Sequence, residues 1–453
     1  MNRMEEYEAM MARMETVPAS DPVGKARARL RRRRWALRPL AAAAAAFGIF
    51  VGLLNLSPTV SAACRTLPLL RELVELLTFN PSLRIAIEHD YVQMVGMEQT
   101  KDGVKARVEY LIVDQKQENI FYTLSSQTGG ALDATPELFY EDGTYVSACV
   151  SSGGIYEDGE LRQITVDFVD EDVPDFVNLT LKVRDVGDPW REAAASQEWD
   201  EPEEPEYDTQ FTFDLRFDPK YTEQGRIVEL NRSVELDGQK ITVTDMEIYP
   251  THIRINVEEA QENTAWLKSL RFYLELEDGS HVETISNGIS ATGSPTTPSM
   301  TSYRAESSFF SEAKCIRLCI TGADFLDKAQ ERLHVNLRTM EHDPLPEGYV
   351  LHGAEQSEHG WTVSFWVKQT QQNHVQLLSS TYFNGSGGEF FIERSAFSTV
   401  AYDEAAQAEV PGWSEERYYL ENFDGDEVWL QLNFTRFWNP EKPVVAELTG
   451  EGA

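Results

Sequence analysis

From Tyr91 onward apolar and polar residues alternate with a period of two, and one pattern appears three times. The first copy runs through Tyr91-Val92, the turn Asp102-Gly103, the alternating Val104, Ala106, Val108 and Tyr110, and then Ile120-Phe121-Tyr122. The second runs through Ile227-Val228, Asp237-Gly238, Ile241 and Val243, then Ile253, Ile255 and Val257. The third runs through Tyr349-Val350, His359-Gly360, Trp361, Val363, Phe365 and Val367, then Val375 and Leu377. Each copy predicts a strand, a tight turn built on a glycine at positive φ, a strand with one buried face, and a return strand. The spacing of the three glycines suits one β-sandwich of about 100 residues each.

The remaining strands fit the same scheme. Gln163–Phe168, Phe176–Val183 and Phe211–Phe217 are expected to complete a first sandwich over 91–218. Ser269–Leu276, Ser302–Phe310 and Lys314–Ile320 would serve a second over 226–340, and Glu389–Ile392, Glu416–Leu420 and Val428–Phe434 a third over 348–449. Boundaries are expected near 218–224 and 341–348. The stretches 188–208 and 290–301 are polar and proline-bearing and read as solvated loops.

Before Tyr91 the period is helical or absent. Leu40–Leu56, LAAAAAAFGIFVGLLNL, carries no charge. At about 1.5 Å per residue such a helix approaches the roughly 30 Å of a bilayer core, so 39–60 is expected to span it as a signal anchor. Eight Lys and Arg fall between Lys25 and Arg38, with Trp35 among them, and cationic flanks stay cytoplasmic. The expected topology is a single pass with the N-terminus in the cytoplasm and the C-terminal bulk outside. Two other fates stay open: Val60-Ser61-Ala62-Ala63 has the small residues of a signal-peptidase site, although a long stub precedes the apolar core, and Cys64 follows as a conceivable lipid acceptor. Gly48 and Gly52 form a G-x-x-x-G that would let two spans pack closely, or are incidental small residues.

On the expected cytoplasmic side, 1–38, Met4, Tyr7, Met11 and Met14 repeat at helical spacing before Pro18. A stripe with no core of its own either frays or docks on a partner, and flexible methionines suit docking. In 61–90, Leu70, Leu73, Val74 and Leu77 predict a short helix between Pro68 and Pro81, with a second around Arg84–Asp90.

Charge sharpens this division. The 453 residues hold 40 basic and 75 acidic side chains, a net of −35. Residues 1–38 alone have ten basic against five acidic, so the net negative charge lies wholly beyond the apolar segment. That balance argues against direct nucleic-acid binding. No nucleophile, phosphate-loop, dinucleotide or paired-histidine metal motif occurs, so no catalytic residue, cofactor or metal is assigned and the protein is not read as an enzyme. Two acidic groupings, Asp167 with Asp170, Glu171, Asp172 and Asp175, and Asp424 with Asp426 and Glu427, resemble calcium chemistry only loosely and arise freely in so acidic a chain. The third module is rich in aromatics, which serve either a glycan platform or a core. Cys315 and Cys319 are expected on the same face of one strand, about 13 Å apart, too far to bridge and therefore free thiols.

The stub EEYEAMMARMETVP, the basic run RARLRRRRW, the span ending LNLSPTVSA, and then LPLLRELVELL and AIEHDYVQMVGMEQTKDGVKARVEYLIVD together resemble the DUF4179 family of bacterial membrane proteins. Residues 226–338 are similar to the immunoglobulin-like DUF5643 region. The resemblance implies an anti-sigma-factor-like regulator: the stub, through Met4, Tyr7, Met11 and Met14, would hold an extracytoplasmic-function sigma factor at the membrane, and the outer sandwiches would sense an unknown extracytoplasmic ligand. The chain differs from zinc-bearing anti-sigma proteins, since no cysteine precedes Cys64. The competing expectation is an anchored surface module that binds wall polymer, protein or calcium without a transcriptional role.

Overall fold

A computed structural model describes residues 80–127, 131–152, 158–169, 171–187, 207–222, 225–285, 288–293, 297–311, 313–369, 375–403 and 408–448. The stub, the apolar segment and the helix expected over 70–77 lie outside them. Among the described residues no helix is long and apolar enough to cross a membrane. The described chain is mainly β, as the alternation predicts.

One short helix opens it. Pro81–Glu88 starts where Asn80 caps the first turn, its side chain accepting a hydrogen bond from Leu83 N at 3.1 Å, and Pro81 occupies the first-turn position where a missing N–H costs nothing. Leu83, Ala86 and Ile87 are buried against Tyr91, Tyr110, Ile112 and Phe121, the outer face of the first sheet.

That sheet has strand order Gln93–Lys101, Val104–Val113, Gln117–Ser126, Leu161–Asp167, Cys149–Ser152. A second sheet, Ala131–Phe139, Phe176–Gly187 and Thr209–Arg216, packs on its other face around a core that includes Val108, Ile120, Ile164, Leu179, Phe211 and Phe213. Phe211, Phe213, Leu215 and Phe217 are buried, as their alternation requires.

The second module pairs a sheet of order Ala291–Gly293, Met300–Ala305, Ile253–Glu259, Gln239–Ile248, Arg226–Leu236 with one of order His281–Glu283, Ala265–Leu276, Cys315–Asp327. The latter is completed by Arg436–Trp438 and Val444–Glu447, both antiparallel to Cys315–Asp327. Ala446 and Leu448 enter the second core. This corrects the sequence-based boundary, which places 436–449 in the third module. Arg332–Asn336 moves the other way: expected in the second module, it pairs with Glu427–Leu432 in the third. The third module is thus inserted into the second, the chain leaving after Asp327 and returning at Arg436.

The third module's sheets are Arg332–Asn336, Glu427–Leu432, Leu378–Asn384, Glu389–Phe391, and Tyr349–Ser357, Gly360–Lys368, Trp413–Glu421, Arg394–Ser398. Between them lies a core that includes Leu333, Val363, Phe365, Tyr382, Leu420 and Leu430. Here the three-copy pattern breaks. In the first two copies the return strand pairs with its predecessor. In the third, Leu378–Asn384 crosses to the opposite sheet and Gly360–Lys368 pairs with Trp413–Glu421. The turns differ too. Asp102-Gly103 and Asp237-Gly238 have both residues at positive φ, a two-residue hairpin turn, whereas Gly360 is wanted for space: a Cβ there would lie 2.1 Å from the Leu420 carbonyl oxygen.

Cys315 and Cys319 are free and buried, but not on one face. A register slip opposite Leu276 leaves one extra residue between them. Cys315 therefore joins Leu318 and Ile320 in the core, while Cys319 opposes Tyr273 on the other side of the sheet.

Candidate functional site

The sequence-derived site residues Met4, Tyr7, Met11, Met14, Gly48 and Gly52 all lie outside the described residues. Within them the densest polar construction is the joint between the first and second modules, where charged side chains from both are withdrawn from water together.

The joint begins at the turn from Val113 to Gln117. Asp114 accepts hydrogen bonds from the amides of Lys116 and Gln117 at 2.9 and 2.8 Å through Oδ1. Its Oδ2 accepts from the Thr251 amide at 3.0 Å and the Thr251 hydroxyl at 2.6 Å, across the joint. Gln115 adds a second crossing, its Oε1 accepting from Gly225 N at 3.1 Å. Burial lifts the Asp114 carboxyl above its usual range, although these bonds pull it down.

From Thr251 the chain of contacts runs through His252, which is fully buried. Nδ1 lies 2.8 Å from the Thr251 hydroxyl, and Nε2 accepts from Arg254 Nε at 3.1 Å. The guanidinium has no lone pair to offer, so Nε2 is unprotonated and the proton sits on Nδ1. Burial, then the neighbouring Arg254 charge, holds the imidazole well below its usual range, and it is neutral.

Arg254 and Arg304 are direct cross-strand partners on Ile253–Glu259 and Met300–Ala305. Since Ile253, Ile255 and Tyr303 fill the second core, both arginines point out of it, toward the first module. There they share Asp167, the last residue of Leu161–Asp167. Arg304 grips it twice, Nε to Oδ2 at 3.0 Å and Nη2 to Oδ1 at 3.1 Å, and Arg254 Nη2 reaches Oδ1 at 2.8 Å. Arg254 also donates to the Phe168 carbonyl at 3.0 Å, and Arg304 to Ser302 Oγ at 2.5 Å and Thr292 Oγ1 at 3.2 Å. Burial pushes the Asp167 carboxyl up, but the two guanidinium groups outweigh it and hold it at about 2. Buried charges are tolerated only when paired and hydrogen-bonded in this way.

The joint also seizes the helix Pro81–Glu88. Glu306 of the second module accepts from the Ser82 amide at 3.0 Å and from its hydroxyl, and the Ser307 amide donates back to Ser82 Oγ at 2.6 Å. A carboxylate suits the helix's N-terminal end, where backbone amides are unpaired. At the other end His89 stacks on Phe310 with ring centroids 4.5 Å apart. The helix is therefore packed on the first module and hydrogen-bonded to the second.

The acidic groupings are otherwise engaged. Asp172 pairs with Lys116 at 2.8 Å, and Tyr140 donates to Glu171. In the third module a hollow of about 380 Å³ lies between Asn384–Ser386 and Asn422–Glu427, with Phe390 and Phe423 in its wall. Two of its carboxylates are already paired, Asp426 with Arg338 at 2.6 Å and Glu427 with His334. Among the described residues no group of three His, Cys, Asp or Glu side chains could hold a metal ion. Of the aromatics expected in the third module, Trp361 and Tyr418 are buried, while Trp366, Trp413, Tyr419, Trp429 and Trp438 are half-buried.

Comparison with known proteins follows the same outline. Residues 31–126 match the model of a domain of unknown function, DUF4179, and residues 225–344 match a family of unknown function, DUF5643. No curated protein matches. Among solved structures, a conserved domain protein from Bacillus anthracis is 15% identical with TM-score 0.38, covering 56% of this chain and 85% of that one. A cycloalternan-forming enzyme from Listeria monocytogenes, in complex with a pentasaccharide substrate, is 9% identical with TM-score 0.13, covering 71% of this chain and 29% of that one. Likenesses this loose carry no argument about function.

Proposed function

We propose that this chain, with its DUF4179 and DUF5643 segments, is a single-pass membrane regulator with a cytoplasmic N-terminus and immunoglobulin-like β-sandwiches outside. In this reading 39–60 is the span, the stripe Met4, Tyr7, Met11 and Met14 holds an extracytoplasmic-function sigma factor at the membrane, and the outer modules govern its release in response to an extracytoplasmic ligand. The observation that supports it is the clamp on Pro81–Glu88. This helix follows the apolar segment closely in sequence, and both outer modules grip it, so a change in their mutual arrangement acts first on the piece of chain nearest the membrane. The charge division on either side of 39–60 supports the topology.

The test uses the full chain in its own cell. Met4, Tyr7, Met11 and Met14 are replaced by alanine together, and sigma-factor capture is measured alongside transcription of the sigma factor's targets. The expected result is loss of capture and constitutive transcription. Unchanged capture and unchanged transcription overturn the reading. The hollow near Asn384 and Phe423 favours the second reading, an anchored surface module, which predicts that outcome.

A further inference from the structure

Glu118 is the second residue of the strand Gln117–Ser126 and has 0% exposure. Neither of its carboxylate oxygens has a hydrogen-bond partner. It lies opposite Val113 on one neighbouring strand and Val166 on the other, and shares a face with Ile120, all three of which belong to the first core. A charged carboxylate without a partner in such surroundings is prohibitively costly, so the group keeps its proton. The residue before it, Gln117, closes the turn through which Asp114 and Gln115 hold Thr251 and Gly225 of the second module.

We propose that the proton on Glu118 latches the joint between the first two modules. While it is held, the strand start stays sunk in the core and the Asp114 turn stays docked. When it is lost, the carboxylate is drawn to water, the strand start lifts, and the bonds to Thr251 and Gly225 part. The latch stands on the joint alone, whatever the stub binds.

The groups around Glu118 leave it the controlling one. On the core-facing side of its own sheet the buried titratable side chains are Arg162 and Tyr122, which oppose each other further along the strands; Lys101 lies on that face at its exposed end, and Tyr140 borders the core. The buried core-facing side chains of the opposite sheet are hydrocarbon apart from the Thr209 hydroxyl, and Asp185 lies on that face at its exposed rim. Asp114 and Asp167 face the second module, Lys116 turns to Asp172 of its own module at 2.8 Å, and Arg107 and Glu109 pair with each other at 3.0 Å on the outer face.

Burial raises Glu118 from 4.5 to about 8 when the joint is closed. Opening restores the lower value, so rising pH favours opening throughout that interval. His252 acts oppositely: closed, it lies well below 6.5, so acidification below 6.5 also favours opening. Below 6.5 the two effects oppose each other, and above 6.5 the His252 effect fades and leaves that of Glu118. Asp114 and Glu306, both raised by burial, act in the same sense as Glu118. The opening equilibrium should thus rise roughly tenfold in all between pH 6.5 and 8, the slope falling off as Glu118 ionises in the closed state near 8, and level off above.

Amide hydrogen exchange on the full chain in lipid nanodiscs reads this directly. The reporters are the amides of Lys116, Gln117 and Thr251, and the ordinary base-catalysed acceleration is divided out with unstructured peptide. The native protein should show this roughly tenfold rise; Glu118→Gln and Glu118→Leu, which carry no titrating group there, should show no rise over the same range. A flat native profile, or a rise that survives in either variant, overturns the latch. Neither result bears on sigma-factor capture.

Discussion

Replacing Asp167 by Asn keeps the side chain's shape and removes the one negative charge between Arg254 and Arg304. The carboxyl is held at about 2 against an ordinary 3.8. At about 1.4 kcal/mol per pKa unit, the folded protein favours the charged over the neutral form by roughly 2–3 kcal/mol. Asn stands in for the neutral form, and it further leaves two buried guanidinium groups without a counter-charge, which takes the loss to about 3–5 kcal/mol. The sign follows from the depressed pKa: the contribution is complete above 3.8 and disappears as pH falls toward 2. Urea-dependent hydrogen exchange of the Ile253–Glu259 amides measures the opening free energy. Asp167→Asn should lower it by about 3–5 kcal/mol at pH 7 and weaken its dependence on pH below 3.8. Glu137→Gln is the control, because its pair with Lys182 is about one-third exposed on both sides and surface pairs are worth less than about 1 kcal/mol. An Asp167→Asn variant within about 0.5 kcal/mol of the native protein at pH 7 would refute the claim that this carboxylate holds the joint together.

The other expectations are more local. Gly360→Ala should cost about 3 kcal/mol or more, because its Cβ would sit 2.1 Å from a backbone oxygen, whereas Gly238→Ala, also at positive φ but facing open space, should cost about 1 kcal/mol; thermal unfolding ranks the two. Leu83→Ala empties a fully buried site under the opening helix and should cost about 2–5 kcal/mol, seen as faster proteolytic cleavage within 80–90. Deleting 436–453 strips Ala446 and Leu448 from the second core and bares the edge of Cys315–Asp327, so the second module should lose cooperative unfolding while the third keeps its own.

What the sequence made legible was the inward half of each strand. Alternation buries Val104, Ala106 and Val108 because water on one side and another sheet on the other leave no second arrangement. The same reasoning assigns the remaining residues to solvent, and here it failed for a physical reason. His252, Arg254 and Arg304 occupy outward positions, which are wet in an isolated sandwich; they are dry because another module docks on them, and no local pattern records a docking partner. Register slips are equally silent, so a four-residue spacing placed Cys315 and Cys319 on one face when one bulged residue separates their faces. Nor can alternation name a strand's neighbour. Arg332–Asn336 and Val444–Glu447 fall within the expected spans 226–340 and 348–449, and only the pairing reveals that each belongs to the other module. Glu118 did carry a signal: a lone carboxylate among inward positions, at Val113, Glu118, Ile120 and Val166, conflicts with its surroundings, and such conflicts mark sites where stability has been given up.

The insertion of the third module fixes how a disturbance there can reach the joint. One linker between modules permits rotation, but here two segments cross side by side and are bonded to each other. Thr435 N donates to the Phe325 carbonyl at 2.7 Å, Asp327 N donates to Thr435 Oγ1 at 2.9 Å, and Arg436 bridges Asp327 and, at 2.7 Å, Asp237. Displacing the third module therefore loads the strand Cys315–Asp327 at its end. That strand packs across the second core from Ile253–Glu259 and Met300–Ala305, whose outer faces carry Arg254 and Arg304. Phe325, Leu318, Ile255 and Tyr303 belong to one close-packed core, so a load on that strand is expected to be felt at the strands that hold Asp167. Cutting one crossing while keeping all side chains separates this path from a flexible one. A protease site inserted between Asp327 and Arg332, cleaved after folding, should leave both cores intact and yet free the third module to swing about its remaining crossing. If the exchange of the Thr251 amide then answers to immobilisation of the third module as it did before cleavage, the double crossing transmits nothing.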